Sequence, residues 1–310
     1  MDNRGAESHY WAESRTVQER GEAMQEPRSI VAGYDGSPEA AEAVRWAARH
    51  AHRRGLAVHV VHCSIWPLLT RHLGPVPGVS DSGLERSAES ILEEGLAHAK
   101  AAAPGADVES TLLHGLPAPH LVGISARQEM LVVGSRGLGG FLGLVVGSVS
   151  LELAATASCP VAVIRSDLHP DGPVVVAVDE SGSPTALKDA CTLASASRAD
   201  LAVVHVRHTP AGYRRFRDNP EALAAAEDVL RAAVTSARIH APGVRVEGTL
   251  LTDSSIAHGI LDVSGDAAMV VVGSKGRGLV KETIGSTAHA VLHHARGPVL
   301  VSRHGSNNGG

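Results

Sequence analysis

Aromatic side chains are scarce in this chain, at 3 % of residues. Its cores must therefore be built from Val, Ala, Leu and Ile. There are 3 cysteines, Cys63, Cys159 and Cys191, far apart and without a CxxC pair. That pattern fits a reduced, cytoplasmic setting rather than a disulfide framework. No apolar stretch approaches the ~20 residues that cross a bilayer, so no membrane partner is expected. The opening residues, MDNRGAESHYWAESR, lack the apolar core of a signal peptide. No long basic run is present and the net charge is -5, which argues against a nucleic-acid partner. No histidine spacing resembles a zinc set: His59 and His62 fall on opposite faces of a strand. His293 and His294 suit the end of a helix.

What is present is ordinary for a globular chain: 44 % hydrophobic and 20 % charged residues. A length of 310 residues favours two domains. Residues 1–27 are polar and aperiodic and read as a disordered tail, and 305–310 form a short second tail. Ser29–Gly33 is a short apolar strand, followed by Asp35-Gly36-Ser37-Pro38-Glu39. Ser37 is a good N-cap, Pro38 suits the first helical position, and Glu39 suits the positive end of the dipole. Strands are expected at Leu56–Cys63, Val108–Leu113, Met130–Val133 and Val161–Arg165, with helices between them. Residues 167–173 read as a linker.

The order then begins again. Strands are expected at Val174–Val178, Leu201–Val206, Val244–Leu250, Met269–Val272 and Val299–Ser302, alternating with helices. Gly147–Arg165 lies over Gly285–Arg303 without a gap, sharing Gly, Ser, Ala, Pro, Val, Val and Arg at matching places. This is an internal repeat of roughly 135 residues. Domain boundaries of 28–166 and 174–304 follow. Alternating apolar strands and helices imply parallel sheets covered on both faces. In such sheets ligands sit at the carboxyl ends of strands, where strand order reverses.

The most informative stretch is Gly134–Ser148, GSRGLGGFLGLVVGS, with a second copy at Gly273–Ser286, GSKGRGLVKETIGS. A glycine loop that leaves a buried strand and ends at a helix start suits an anion. Its N–H groups can approach a phosphate because no Cβ stands in the way. The following helix adds free N–H groups and the positive end of its dipole. Asp35 and the Gly134 loop face one crevice if the first and fourth strands are neighbours. Asp179 and the Gly273 loop would pair in the same way. An acid beside such a loop suits a sugar hydroxyl or a metal.

The Asp-Gly-Ser-Pro after the first strand, the Gly-x-Pro after the third and the Gly-x2-Gly-x9-Gly-Ser after the fourth resemble the universal stress protein family in its tandem form. The resemblance runs from Ser29 to Arg303. It implies two tandem Rossmann-like domains of the adenine nucleotide alpha hydrolase-like type. Each would be a five-stranded parallel sheet of order 3-2-1-4-5, with the two fifth strands pairing. It implies ATP as the cofactor, since many members bind ATP and serve in stress response or growth arrest.

Residue by residue, the resemblance gives Asp35 the ribose–phosphate region or a magnesium ion, and Gly33 and Cys63 the adenine pocket. Gly134, Ser135, Arg136 and Gly137, after Val133, would wrap phosphates. Gly147, Ser148 and Val149 would hold the phosphate–ribose side. The second set is Asp179, Val206, Gly273, Ser274, Gly276, Gly285, Ser286 and Thr287. This second copy departs from the pattern. One residue fewer separates Gly276 from Gly285, the segment after Asp179 is longer, and Asp253-Ser254-Ser255 replaces Gly115-Leu116-Pro117. ATP is therefore expected in the first domain more than in the second, where the departures leave binding open.

Three functions compete. The first is an ATP-binding regulator that engages a protein partner or a second copy of itself. The second is a slow ATPase or phosphotransferase that uses magnesium on Asp35. The third is a partner-binding protein with vestigial sites. The absence of GxxxxGK[ST] and of a clear second acid argues against fast turnover. A dinucleotide oxidoreductase is a poor alternative, because its GxGxxG follows the first strand of a unit and the glycines here follow the fourth.

Overall fold

The computed structural model describes residues 29–65, 82–137, 146–165, 169–209, 219–274 and 283–303, with the side chains of Ser82 and Leu84 excepted. The expected tails, residues 138–145 of the first glycine loop and 275–282 of the second, Gly276 among them, lie outside these residues.

The first half runs β1 (Ile30–Gly33), α1 (Pro38–Arg54), β2 (Val58–Ser64), α2 (Ser82–Ala102), β3 (Val108–His114), α3 (Pro117–Ser125), β4 (Met130–Gly134), α4 (Ser148–Thr156) and β5 (Val161–Ile164). The second half repeats the order. It runs β6 (Val174–Val178), α5 (Pro184–Ser197), β7 (Leu201–His208), α6 (Pro220–His240), β8 (Val246–Asp253), α7 (Ile256–Asp262), β9 (Met269–Gly273), α8 (Ser286–His294) and β10 (Val299–Ser302).

The strands form one 10-stranded sheet of order β3-β2-β1-β4-β5-β10-β9-β6-β7-β8. Each half is a parallel five-strand set in the 3-2-1-4-5 order, and β1 pairs with both β2 and β4. The halves join through β5 and β10, which run antiparallel with Ala162 opposite Leu300. Expected strand ends shift by a few residues. The largest shift is β8, which starts at Val246 rather than Val244 and runs on to Asp253.

Alternation along these strands sends neighbouring residues to opposite faces. Ile30 and Ala32 of β1 join a core with α1, α2, α5 and α6, while Val31 joins a core with α3, α4, α7 and α8. Both cores continue across the seam between the halves. The scarcity of aromatics shows in α1, whose buried face carries six alanines, Val44 and His50. Ser37 caps α1 as expected, its hydroxyl accepting from the Ala40 N–H at 3.2 Å. Ser183, the counterpart before α5, does not cap. It sits in the left-handed region at φ 43°, and its hydroxyl accepts from the Asp179 N–H at 3.0 Å instead. The two extra residues after Asp179 account for the change, because they make a tight turn before the helix can start.

Candidate functional site

The crevice at the carboxyl ends of β1 and β4 opens into a cavity of about 650 Å³. Asp35 leaves β1 and turns back on itself, its Oδ1 accepting from the Ser37 N–H at 3.0 Å. Its other oxygen lies against Gly137, where an added Cβ would come within 2.3 Å of Oδ2. A residue with a side chain could not occupy this place unless Asp35 moved. Gly134 is equally confined: a Cβ there would stand 2.7 Å from the Glu39 carbonyl carbon and 2.8 Å from the Ala40 nitrogen. The start of α1 therefore packs directly on the end of β4.

The glycine loop is pinned at both ends. The Ser135 N–H donates to the Ile164 carbonyl at 2.8 Å, and the Gly147 N–H donates to the Ser135 carbonyl at 2.7 Å. Ser150 Oγ donates to the Gly134 carbonyl at 2.8 Å and ties the first turn of α4 to β4. Gly147, Ser148 and Val149 line the cavity, so the amino-terminal end of α4 faces it. Arg136 does not point freely into solvent. Its Nη2 donates to Glu39 Oε1 at 2.8 Å.

Of the residues expected in the first site, Gly33, Asp35, Cys63, Val133, Gly134, Arg136, Gly137, Gly147, Ser148 and Val149 line the cavity. Ser135 does not. It is buried, and its backbone serves to close the loop. Burial pushes the Cys63 thiol up to about 11, so it contributes a neutral wall rather than a thiolate. Burial and then the nearby Glu94 push the Tyr34 phenol up to about 12, so it also stays neutral. The sequence reading missed the far wall, which is Ser87, Ala88 and Ile91 of α2. It also missed His62, whose Nδ1 donates to the Tyr34 carbonyl at 2.8 Å and braces β1 beside Asp35. The internal repeat held a signal for this brace, because His205 makes the same bond to Val178 at 2.8 Å.

The second half repeats the frame with different furniture. The Ser274 N–H donates to the Ser302 carbonyl, and the Gly285 N–H donates to the Ser274 carbonyl, both at 2.8 Å. Gly273, Ser274, Gly285, Ser286 and Thr287 thus occupy places equivalent to the first loop and its helix. Asp179 accepts at Oδ1 from the Ser181 N–H at 2.9 Å and the Ser181 hydroxyl at 2.6 Å. Burial raises its carboxyl, but these hydrogen bonds and those involving Ser183 outweigh burial and hold it below the usual range. Val206 is buried, and its methyl groups lie 3.0 and 3.2 Å from where a Cβ on Gly259 would be. Asp253 accepts from the Ser255 N–H and from His258 Nδ1, each at 2.8 Å. Together Asp253 and Ser255 cap α7 in place of the glycine–proline turn.

Among the described residues no group of three His, Cys, Asp or Glu side chains could hold a metal. Asp35 alone does not make a resident metal site. A single carboxylate does fit a magnesium ion that arrives with phosphate oxygens as its other ligands. Among the described residues no helix is long and apolar enough to cross a membrane.

This arrangement defines a tandem Rossmann-like α/β chain with a glycine loop and a helix start facing an aspartate. The family model of the universal stress protein family matches residues 27–165 and 172–303. The chain belongs to that family. It is 35% identical over 303 residues to the universal stress protein Rv2005c of Mycobacterium tuberculosis, covering 90% of this chain and 99% of that one. The crystal structure of a universal stress protein from Archaeoglobus fulgidus superposes with a TM-score of 0.65 at 20% identity, over 89% of this chain and 98% of that one. A shorter universal stress protein, solved in complex with cAMP, matches 45% of this chain and 98% of its own at 25% identity and a TM-score of 0.36.

Proposed function

We propose that this chain is an ATP-dependent regulator of stress response or growth arrest that holds ATP in the first crevice. One observation carries the reading: the Asp35 carboxylate, the Gly137 backbone and the amino-terminal end of α4 surround one cavity. The loop N–H groups and the helix dipole attract the phosphates. Asp35 meets the ribose–phosphate region and is the residue that would hold a magnesium ion arriving with the nucleotide. Gly33, Cys63 and the apolar wall from α2 receive the adenine. Magnesium supplies charge neutralisation for the polyphosphate, and the chain supplies its orientation.

The two repeats act as domains over 28–166 and 174–304 in the cytoplasm. The second crevice is the weaker site, because its glycine loop is one residue shorter and Asp253-Ser254-Ser255 stands in place of the Gly115-Leu116-Pro117 turn. Turnover is slow at most, and the output is engagement of a protein partner. Gentle purification followed by mass spectrometry of the released small molecules, and calorimetric titration with magnesium ATP, test the reading. Adenine nucleotide in the first and binding heat in the second are expected. Neither nucleotide nor heat would overturn it. Rapid single-turnover hydrolysis abolished by Asp35→Ala would replace the regulator with an enzyme.

A further inference from the structure

Arg165 follows β5 and Arg303 follows β10, so each ends the last strand of its half. Both side chains cross the seam. Nη1 of Arg303 donates to the carbonyls of Ala154 at 2.9 Å and Ala155 at 2.5 Å, at the carboxyl end of α4. Arg165 reciprocates at the carboxyl end of α8: its Nη1 donates to the Ala295 carbonyl at 2.6 Å and its Nη2 to the Leu292 carbonyl. The last carbonyls of a helix have no partner within it and carry the negative end of its dipole. A guanidinium is a strong donor for them. The last turn of α4 has no basic residue of its own. Its cation comes from the other half of the chain.

The opposite end of this 9-residue helix lines the cavity through Ser148 and Val149. One short rigid rod thus has the first crevice at its amino end and Arg303 at its carboxyl end, about 13 Å away. We infer that Arg303 is a positioning residue for the first nucleotide site, supplied across the seam by the second half, and that Arg165 does the same for the second site. The second half is then a working part of the first site even where it holds no nucleotide. This inference rests on the ATP reading above, but its structural part can be tested without nucleotide.

Hydrogen exchange of the full chain without ATP separates the two arginines. Arg303→Gln is expected to speed exchange at Leu153–Ala157 and leave Val291–Ala295 as in the wild type. Arg165→Gln is expected to do the reverse. Titration with magnesium ATP then reads the site. Arg303→Gln is expected to weaken binding roughly tenfold, and Arg303→Lys about threefold, because it keeps the charge but not the guanidinium geometry. Arg165→Gln, the matching change in the other half, is expected to stay within about twofold. Equal losses in the two glutamine variants, or wild-type affinity in a folded Arg303→Gln, would overturn the inference. If Arg303→Gln does not fold, wild-type affinity in Arg303→Lys would overturn it instead. If the wild type itself binds no ATP, the functional reading fails and the exchange pattern alone decides the cross-capping.

Discussion

Gly137 lies against Asp35 so closely that a methyl group on the glycine would stand 2.3 Å from the carboxylate Oδ2. The contact joins the end of β1 to the glycine loop after β4, residues about a hundred positions apart in the chain. Gly137→Ala must displace either the acid or the loop. Because Gly137 is exposed, the thermal midpoint should hardly move. Magnesium ATP affinity should fall at least tenfold, roughly the cost of one misplaced charged contact. Parallel calorimetry and thermal unfolding check both halves of this expectation.

Gly134→Ala should behave differently. Its methyl group would meet the backbone of Glu39 and Ala40, which cannot rotate away as a side chain can. The start of α1 would be pushed off β4, costing about 1–3 kcal/mol of stability as overpacking does. Urea unfolding should show this loss with or without nucleotide.

Glu39→Gln isolates the ion pair that holds Arg136. Arg136 is 54% exposed in that pair, and exposed pairs of this kind contribute under about 1 kcal/mol. A phosphate can therefore take the guanidinium from Glu39. Removing the competing charge should tighten ATP binding by up to about fivefold. Weaker binding in this variant would show that Glu39 helps the ligand rather than competing with it.

Asp35 opposite the glycine loop is legible in the sequence because both follow apolar, β-branched strands, and parallel sheets gather such ends on one edge. The pairing of β5 with β10 is legible only through the family resemblance. The cross-seam caps are not legible. Arg165 and Arg303 look like ordinary polar residues after a strand, and their acceptors lie 130 and 148 positions away. Backbone carbonyls leave no mark in a sequence. The α2 wall is hidden for a related reason, since the periodicity of Ala88 and Ile91 marks a buried face without saying what it faces. Ser183 misleads because Ser-Pro before a helix signals a cap, while the two added residues turn its hydroxyl toward the Asp179 N–H.

Two buried groups should pull stability in opposite directions with pH. His50 stacks on Trp46 with ring centroids 4.9 Å apart. Burial, with help from Arg54 and Arg53, pushes it down from 6.5 to about 3. The folded state therefore requires the neutral ring. Its contribution is complete above the unfolded value of 6.5 and is lost as pH falls from there toward 3. The span corresponds to about 5 kcal/mol. His50→Phe keeps the stacking and should flatten the decline in unfolding free energy between pH 6.5 and pH 4.

Asp189 is the converse case. Burial pushes it up from 3.8 to about 6, against the opposing hydrogen bond from Ser302. The folded state here favours the proton, so stability is greatest below 3.8 and is lost as pH rises through 6. Asp189→Asn should therefore stabilise the chain by up to about 3 kcal/mol at pH 7.5. It should do little at pH 4. Denaturant titrations at the two pH values give the sign directly.

The central claim is tested most directly by backbone amide exchange at Gly137, Gly147 and Ser148 in the full chain, with and without magnesium ATP. Nucleotide is expected to slow exchange at Gly137 and Ser148 in the wild type, to leave Gly147 unchanged because its N–H is already bonded to the Ser135 carbonyl, and to need at least tenfold more ATP for the same slowing in Gly137→Ala. Unchanged exchange at Gly137 and Ser148 in the wild type at saturating ATP would contradict that claim.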